Sequence, residues 1–111
     1  GLVAMKKEAA SVYTDVKIYR YITELTEMTR NNEYFRLGLS PRAALAISSL
    51  ARADAYTKGR DYVIPQDVRE VFTDSARHRV LPGAKAQVEN RSVSDLLGAV
   101  LKSVPEPMAG S

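Results

Sequence analysis

Five consecutive residues, Leu39-Ser40-Pro41-Arg42-Ala43, join a helix start to a cation. Ser40 carries the side-chain acceptor of an N-cap, and Pro41 suits the first helical position, where its missing N–H would be unpaired anyway. Arg42 therefore falls in the first turn. The aligned peptide dipoles are positive there, and a cation is disfavoured by roughly 0.3–1 kcal/mol. No Asp or Glu follows before Asp54, so the turn lacks a compensating acid. A positive helix end joined to a guanidinium is an anion site, and phosphate is the anion it suits best.

The elements that position this turn follow from apolar periodicity. Thr14-Asp15 is a helix start signal. Ile18, Tyr21, Ile22, Leu25 and Met28 then recur at three- and four-residue steps and form one buried face, with Lys17, Arg20, Glu24 and Glu27 mostly opposite. Arg30 closes this helix, which fades at Asn31-Asn32. Tyr34 to Leu39 is a short connection in which Tyr34-Phe35 is expected to be exposed. The second helix runs from Pro41 to about Lys58 and stops at Gly59. Residues 43–51 carry no charge, which predicts a central helix apolar nearly all round.

Arg60 to Ile64 reads as extended, and Pro65 opens a third helix whose start is complemented by Gln66, Asp67 and Glu70. Ile64 is a poor N-cap. Val68, Val71, Phe72 and Ala76 form this helix's buried stripe. Arg77, His78 and Arg79 crowd its C-terminal end, where cations are favoured; a subunit contact or a neighbouring-site contact is the alternative for Arg79. Ala84 to Arg91 reads as a linker with room for one short strand at Gln87-Val88. Ser92 and Asp95 then resemble a capping box, opening a fourth helix with Val93, Leu96, Leu97, Val100, Leu101 and Val104 at helical spacing. The expected fold is an all-α bundle of four helices with one or two very short extended segments. Residues 14–104 form the domain, 1–13 a linker or short helix (with Val12-Tyr13 a candidate extended pair), and 105–111 a flexible tail.

The composition narrows the function classes. A chain of 111 residues with 45% hydrophobic content suits one small core. The net charge of +3 is mild and the basic residues are scattered, which speaks against nucleic acid. Absent cysteine excludes thiol chemistry and fits a cytoplasmic protein. The apolar runs are too short for a membrane span. Opening on Gly rather than Met, the sequence reads as a piece of a longer protein or a processed product. It has no Gly-rich loop ending in Lys-Ser or Lys-Thr, and one His cannot make a multi-His zinc site. The expectation is no metal site and no complete enzyme.

Five segments occur in a particular order: Thr29-Arg30; Leu37-Gly38-Leu39-Ser40-Pro41-Arg42-Ala43; Gly59-Arg60-Asp61-Tyr62-Val63; Pro65-Gln66-Asp67-Val68; and His78-Arg79. Together, over residues 12–107, they resemble the C-terminal lid of the MoxR branch of AAA+ ATPases. The closing Val104-Pro105-Glu106-Pro107 fits that family's end as well. The resemblance implies a helical lid that closes over ATP and Mg held mainly by a preceding core domain. It implies that Arg42 is the second sensor, reaching the γ-phosphate, with Ser40 and Pro41 beside it at the nucleotide. It further implies ring assembly, usually a hexamer, chaperone-like work on client proteins, and a partner with a von Willebrand factor A domain. Ile64, where a small capping residue is usual, departs from the pattern. The competing class is an independent helical module that binds protein or DNA.

Overall fold

The computed structural model describes residues 11–107. The elements are α1 (Val16–Arg30), β1 (Phe35–Leu37), α2 (Pro41–Thr57), α3 (Pro65–Ala76), β2 (Leu81–Pro82), α4 (Ala84–Val88) and α5 (Val93–Ser103). Four main helices form the bundle, as the periodicity predicts. The short helix expected around Leu2 to Ala10, and the last four residues of the tail, lie outside the described residues.

Local chemistry sets the helix ends. Asp15 caps α1 by accepting the Lys17 amide at 2.9 Å. At the end of α2, Gly59 adopts φ 77°. Its amide donates to the Tyr56 carbonyl at 3.0 Å and the Arg60 amide to the Ala55 carbonyl at 3.0 Å, the paired bonds of a Schellman ending. Ser92 and Asp95 close the expected capping box at α5: the Asp95 amide donates to Ser92 Oγ at 3.1 Å and the Ser92 amide to Asp95 Oδ2 at 3.3 Å.

The core gathers Ile18, Tyr21, Ile22 and Leu25 from α1, Ala43, Ile47, Ala51 and Ala55 from α2, Val68 and Phe72 from α3, and Leu96, Leu97 and Val100 from α5. α2 packs chiefly on α3 and next on α1. Alanines along its inner face let those neighbours approach closely.

Four expectations are corrected. First, α2 is not apolar all round because it is central. Leu45 is 68% exposed and Leu50 is exposed too, so its uncharged outer face is open among the described residues. Second, Ala84 to Arg91 is neither linker nor strand. Ala86 is buried and anchors a single helical turn, α4. Asn90 at φ 57° ends it, and the Arg91 amide returns to the Ala86 carbonyl at 2.9 Å. Third, the Tyr34–Leu39 connection contains β1, which pairs antiparallel with β2 through Phe35↔Pro82 and Leu37↔Leu81. Phe35 is buried, and the centroid of the half-buried Tyr34 ring lies 4.8 Å from Lys85 Nζ and 5.0 Å from the Arg91 guanidinium. Fourth, Met28 points to solvent at the edge of the α1 stripe. The extended pieces at Val12-Tyr13 and Arg60–Ile64 do meet: Tyr13 bridges Tyr62 in parallel, its amide donating to the Asp61 carbonyl at 2.8 Å.

Candidate functional site

The turn at Ser40-Pro41-Arg42 is held from behind by the end of α1. Thr29 is fully buried. Its hydroxyl donates to the Thr26 carbonyl at 2.7 Å and accepts the Leu39 amide at 2.8 Å. Gly38 lies so close to this helix end that an added Cβ would stand 2.4 Å from the Thr29 carbonyl oxygen. Only glycine allows that approach. Leu39 follows, fully buried, and seats the chain before the cap.

Ser40 then caps α2. Its Oγ accepts the Ala43 amide at 3.3 Å, Pro41 occupies the start of the helix, and no acid stands in the first turn. Arg42 is exposed and has no hydrogen bond or ion pair among the described residues. A cation at a positive helix end with no internal partner favours an anion from outside the domain.

Strand pairing brings a second cation to the same place. Because β1 and β2 run antiparallel with Leu37 opposite Leu81, the chain leaving β1 and the chain entering β2 lie at one end of the ribbon. Arg42 is on the first and Arg79 on the second. Both line one open hollow of about 520 Å³, with Leu37, Gly38, Ser40, Ala43 and Ala46 as the other walls. Among the described residues no carboxylate lines it. Arg79 also does what its position at the end of a helix predicts. Its Nη1 donates to the Ser75 carbonyl at 2.6 Å and to Ser75 Oγ at 3.0 Å, satisfying one of the open carbonyls at the end of α3.

The sequence alone gives Arg79 a capping role, with a subunit or neighbouring-site contact as the alternative, and does not join it to Arg42. The signal needed was the strand pairing, which local patterns do not reveal. Arg30 is exposed at the end of α1 and does not line the hollow. His78 lies outside it too, accepting from Arg77 Nε at 3.3 Å. The donors around the hollow are cationic and amide, a set that fits an anion. Among the described residues no three His, Cys, Asp or Glu side chains gather as a metal cluster.

Two of the ordered segments prove to be structural. Asp67, with 0% exposure, takes a bidentate bridge from Arg60, Nη1 and Nη2 each at 2.6 Å. It also accepts the Ile64 amide at 2.8 Å. This completes half of a capping box in which Ile64 has no side-chain acceptor to offer, so the start of α3 is better satisfied than Ile64 alone predicts. Burial alone would push the Asp67 carboxyl up, but the Arg60 guanidinium and the Ile64 amide outweigh it and hold its pKa below the ordinary value. Lys58 adds a further cation, pairing with Asp54 and Glu70 and lying 3.9 Å from Asp67.

Comparison with known proteins places these features in context. Residues 27–98 match the family model described as the AAA lid domain. The chain is 33% identical over 119 residues to the chaperone MoxR1 of Mycobacterium tuberculosis, covering 99% of this chain and 32% of that protein. It is 37% identical over 71 residues to protein MoxR of Methylorubrum extorquens, covering 63% of this chain and 21% of that one. A crystal structure of a presumptive ATPase from Cytophaga hutchinsonii superposes with a TM-score of 0.83 at 29% identity, over 92% of this chain and 34% of the other. The chain thus spans about a third of the length of the curated relatives it matches end to end. Among the described residues no helix is long and apolar enough to cross a membrane.

Proposed function

Since the chain belongs to the AAA lid domain family, in the MoxR branch of AAA+ ATPases, we propose that it is a nucleotide-sensing lid with Arg42 as its sensor. In this reading a core domain of the same protein holds ATP, and the lid closes over it. Arg42 meets the γ-phosphate where water is thinned and charge pairing is strong. Ser40 and Pro41 fix the direction of approach. Mg belongs to the core, because the hollow's donors suit an anion and not a cation. The group that ATP supplies is a transferable γ-phosphoryl; once it has left, Arg42 loses its partner and the lid is free to turn. That rotation passes to the next subunit of a ring, expected to be a hexamer. The cytoplasm is the expected setting, client activation the expected output, and a protein with a von Willebrand factor A domain the expected partner.

The observation that carries this reading is an arginine without a partner among the described residues, in the first turn of a helix whose approach is pinned by Thr29 and Gly38. Arg42→Ala in the full-length ATPase tests it. Turnover should fall on the order of 10²-fold, the usual consequence of losing one preorganised charge contact at a reacting centre, while the lid stays folded. Unchanged steady-state turnover would remove the role.

A further inference from the structure

We infer that Arg79 is a second phosphate-binding residue and that Ser75 positions it. The inference deepens the Arg42 reading and rests on it. Three observations carry it. Arg79 reaches the hollow from the turn between α3 and β2 while Arg42 reaches it from α2, and the β1–β2 pairing fixes that meeting. Among the described residues no acid on the hollow's wall neutralises either cation. Most of the Arg79 guanidinium is also uncommitted. Only Nη1 is engaged, by the Ser75 carbonyl and hydroxyl. Nε and Nη2, with three of the five N–H donors of a guanidinium, have no partner among the described residues.

Some cations of the domain are spent on ion pairs. Elsewhere in this domain Arg60 pairs with Asp67, Arg69 with Glu106 and Lys85 with Glu33. Arg42 and Arg79, like several other exposed arginines, have no ion pair among the described residues, but these two line one hollow. Two cations on the wall of one hollow favour a multivalent anion over a singly charged one. Ser75 makes the arrangement possible. Its hydroxyl is buried and holds Nη1 against the end of α3. The guanidinium is thereby anchored at one nitrogen, with its remaining edge available to the hollow. The ligand chemistry is a polyphosphate chain long enough to meet both arginines, as in a nucleoside triphosphate.

The test is a titration of this chain with inorganic tripolyphosphate at low ionic strength, followed through the arginine Nε–Hε resonances. Arg42 and Arg79 should shift along one curve with one Kd, while Arg60 and Arg69 stay in place. Arg79→Ala should weaken binding about tenfold, as expected for one charge-assisted hydrogen bond. Arg79→Lys, which keeps the charge but not the fork, should fall between. If Arg42 shifts while Arg79 stays, and Arg79→Ala titrates like the parent, this inference is overturned and the Arg42 reading survives. If neither arginine responds, the shared phosphate site is overturned, while the Arg42 reading is decided separately by the turnover of Arg42→Ala in the full-length ATPase. If citrate binds as tightly as tripolyphosphate, the site is a general carboxylate dock and the phosphate assignment is wrong.

Discussion

The Thr29 hydroxyl accepts the Leu39 amide at 2.8 Å while donating to the Thr26 carbonyl at 2.7 Å. One buried oxygen thus ties the last turn of α1 to the residue before the α2 cap. Removing it leaves a buried N–H unsatisfied, which costs about 1–3 kcal/mol. Thr29→Val should lower the urea midpoint by a corresponding amount at unchanged m-value. It should also weaken tripolyphosphate binding, because the turn bearing Arg42 loses its fixed seat. A mutant of parental stability would show that the hydroxyl is dispensable.

Gly38→Ala has a steric cause. A Cβ 2.4 Å from a backbone oxygen leaves no flexible group to yield, so the end of α1 and the loop must separate. Overpacking of this kind costs about 1–3 kcal/mol. Gly59→Ala strains φ 77° but meets no atom within 4 Å. Chemical denaturation of the two variants should show Gly38→Ala with the larger loss; the reverse order would refute the contact.

Asp67 sets a pH window. Its native pKa lies below the ordinary value, so the native state holds the proton less tightly than the unfolded chain. The stability it contributes is complete above the unfolded pKa of about 3.9. It is lost as pH falls through the depressed native pKa. Asp67→Asn strands Arg60 and should cost about 3 kcal/mol at neutral pH. The gap between parent and variant should narrow steadily as pH is lowered through and below the ordinary carboxylate pKa of about 3.9. A gap independent of pH would contradict the ionised bridge.

How much of this was legible in the sequence depends on the range of each interaction. The four helices were, because their apolar spacing is local. So was the Ser40 cap, whose acceptor lies three residues from its donor. Asp67 was assigned to the dipole at the start of α3, which is correct for its position but misses its main partner. Arg60 lies in the preceding extended segment, and no periodicity joins the two. The β1–β2 ribbon escaped because three residues against two give no alternating pattern, and Pro82 lacks a donor. With the ribbon went the meeting of Arg42 and Arg79. The uncharged face of α2 misled for another reason: an apolar residue on a helix surface can await a neighbour that the domain itself does not contain.

Arg42 should oppose stability. It is a cation at a positive helix end, exposed and without a partner among the described residues. Arg42→Glu reverses the sign and should stabilise the domain by up to about 1 kcal/mol while abolishing tripolyphosphate binding. Thermal unfolding and the titration together check this. A destabilised variant would mean that Arg42 holds the fold.

Ser75→Ala separates positioning from binding. The hydroxyl touches no ligand in the inferred arrangement, and its loss should cost about 1 kcal/mol of stability at most. Freed of one of its two anchors, the Arg79 side chain samples more rotamers, and tripolyphosphate affinity should drop severalfold with the Arg42→Ala effect unchanged. Affinity equal to the parent would assign Ser75 a capping role only.

The five-residue ribbon also acts as a caliper. One jaw, carrying Arg42, is bolted to α1 through Thr29; the other, carrying Arg79, is bolted to α3 through Ser75. Any tilt of α3 against α1 changes the gap between the jaws. A guest gripped by both jaws therefore gauges that tilt, and by reciprocity a push on α3 loosens the grip.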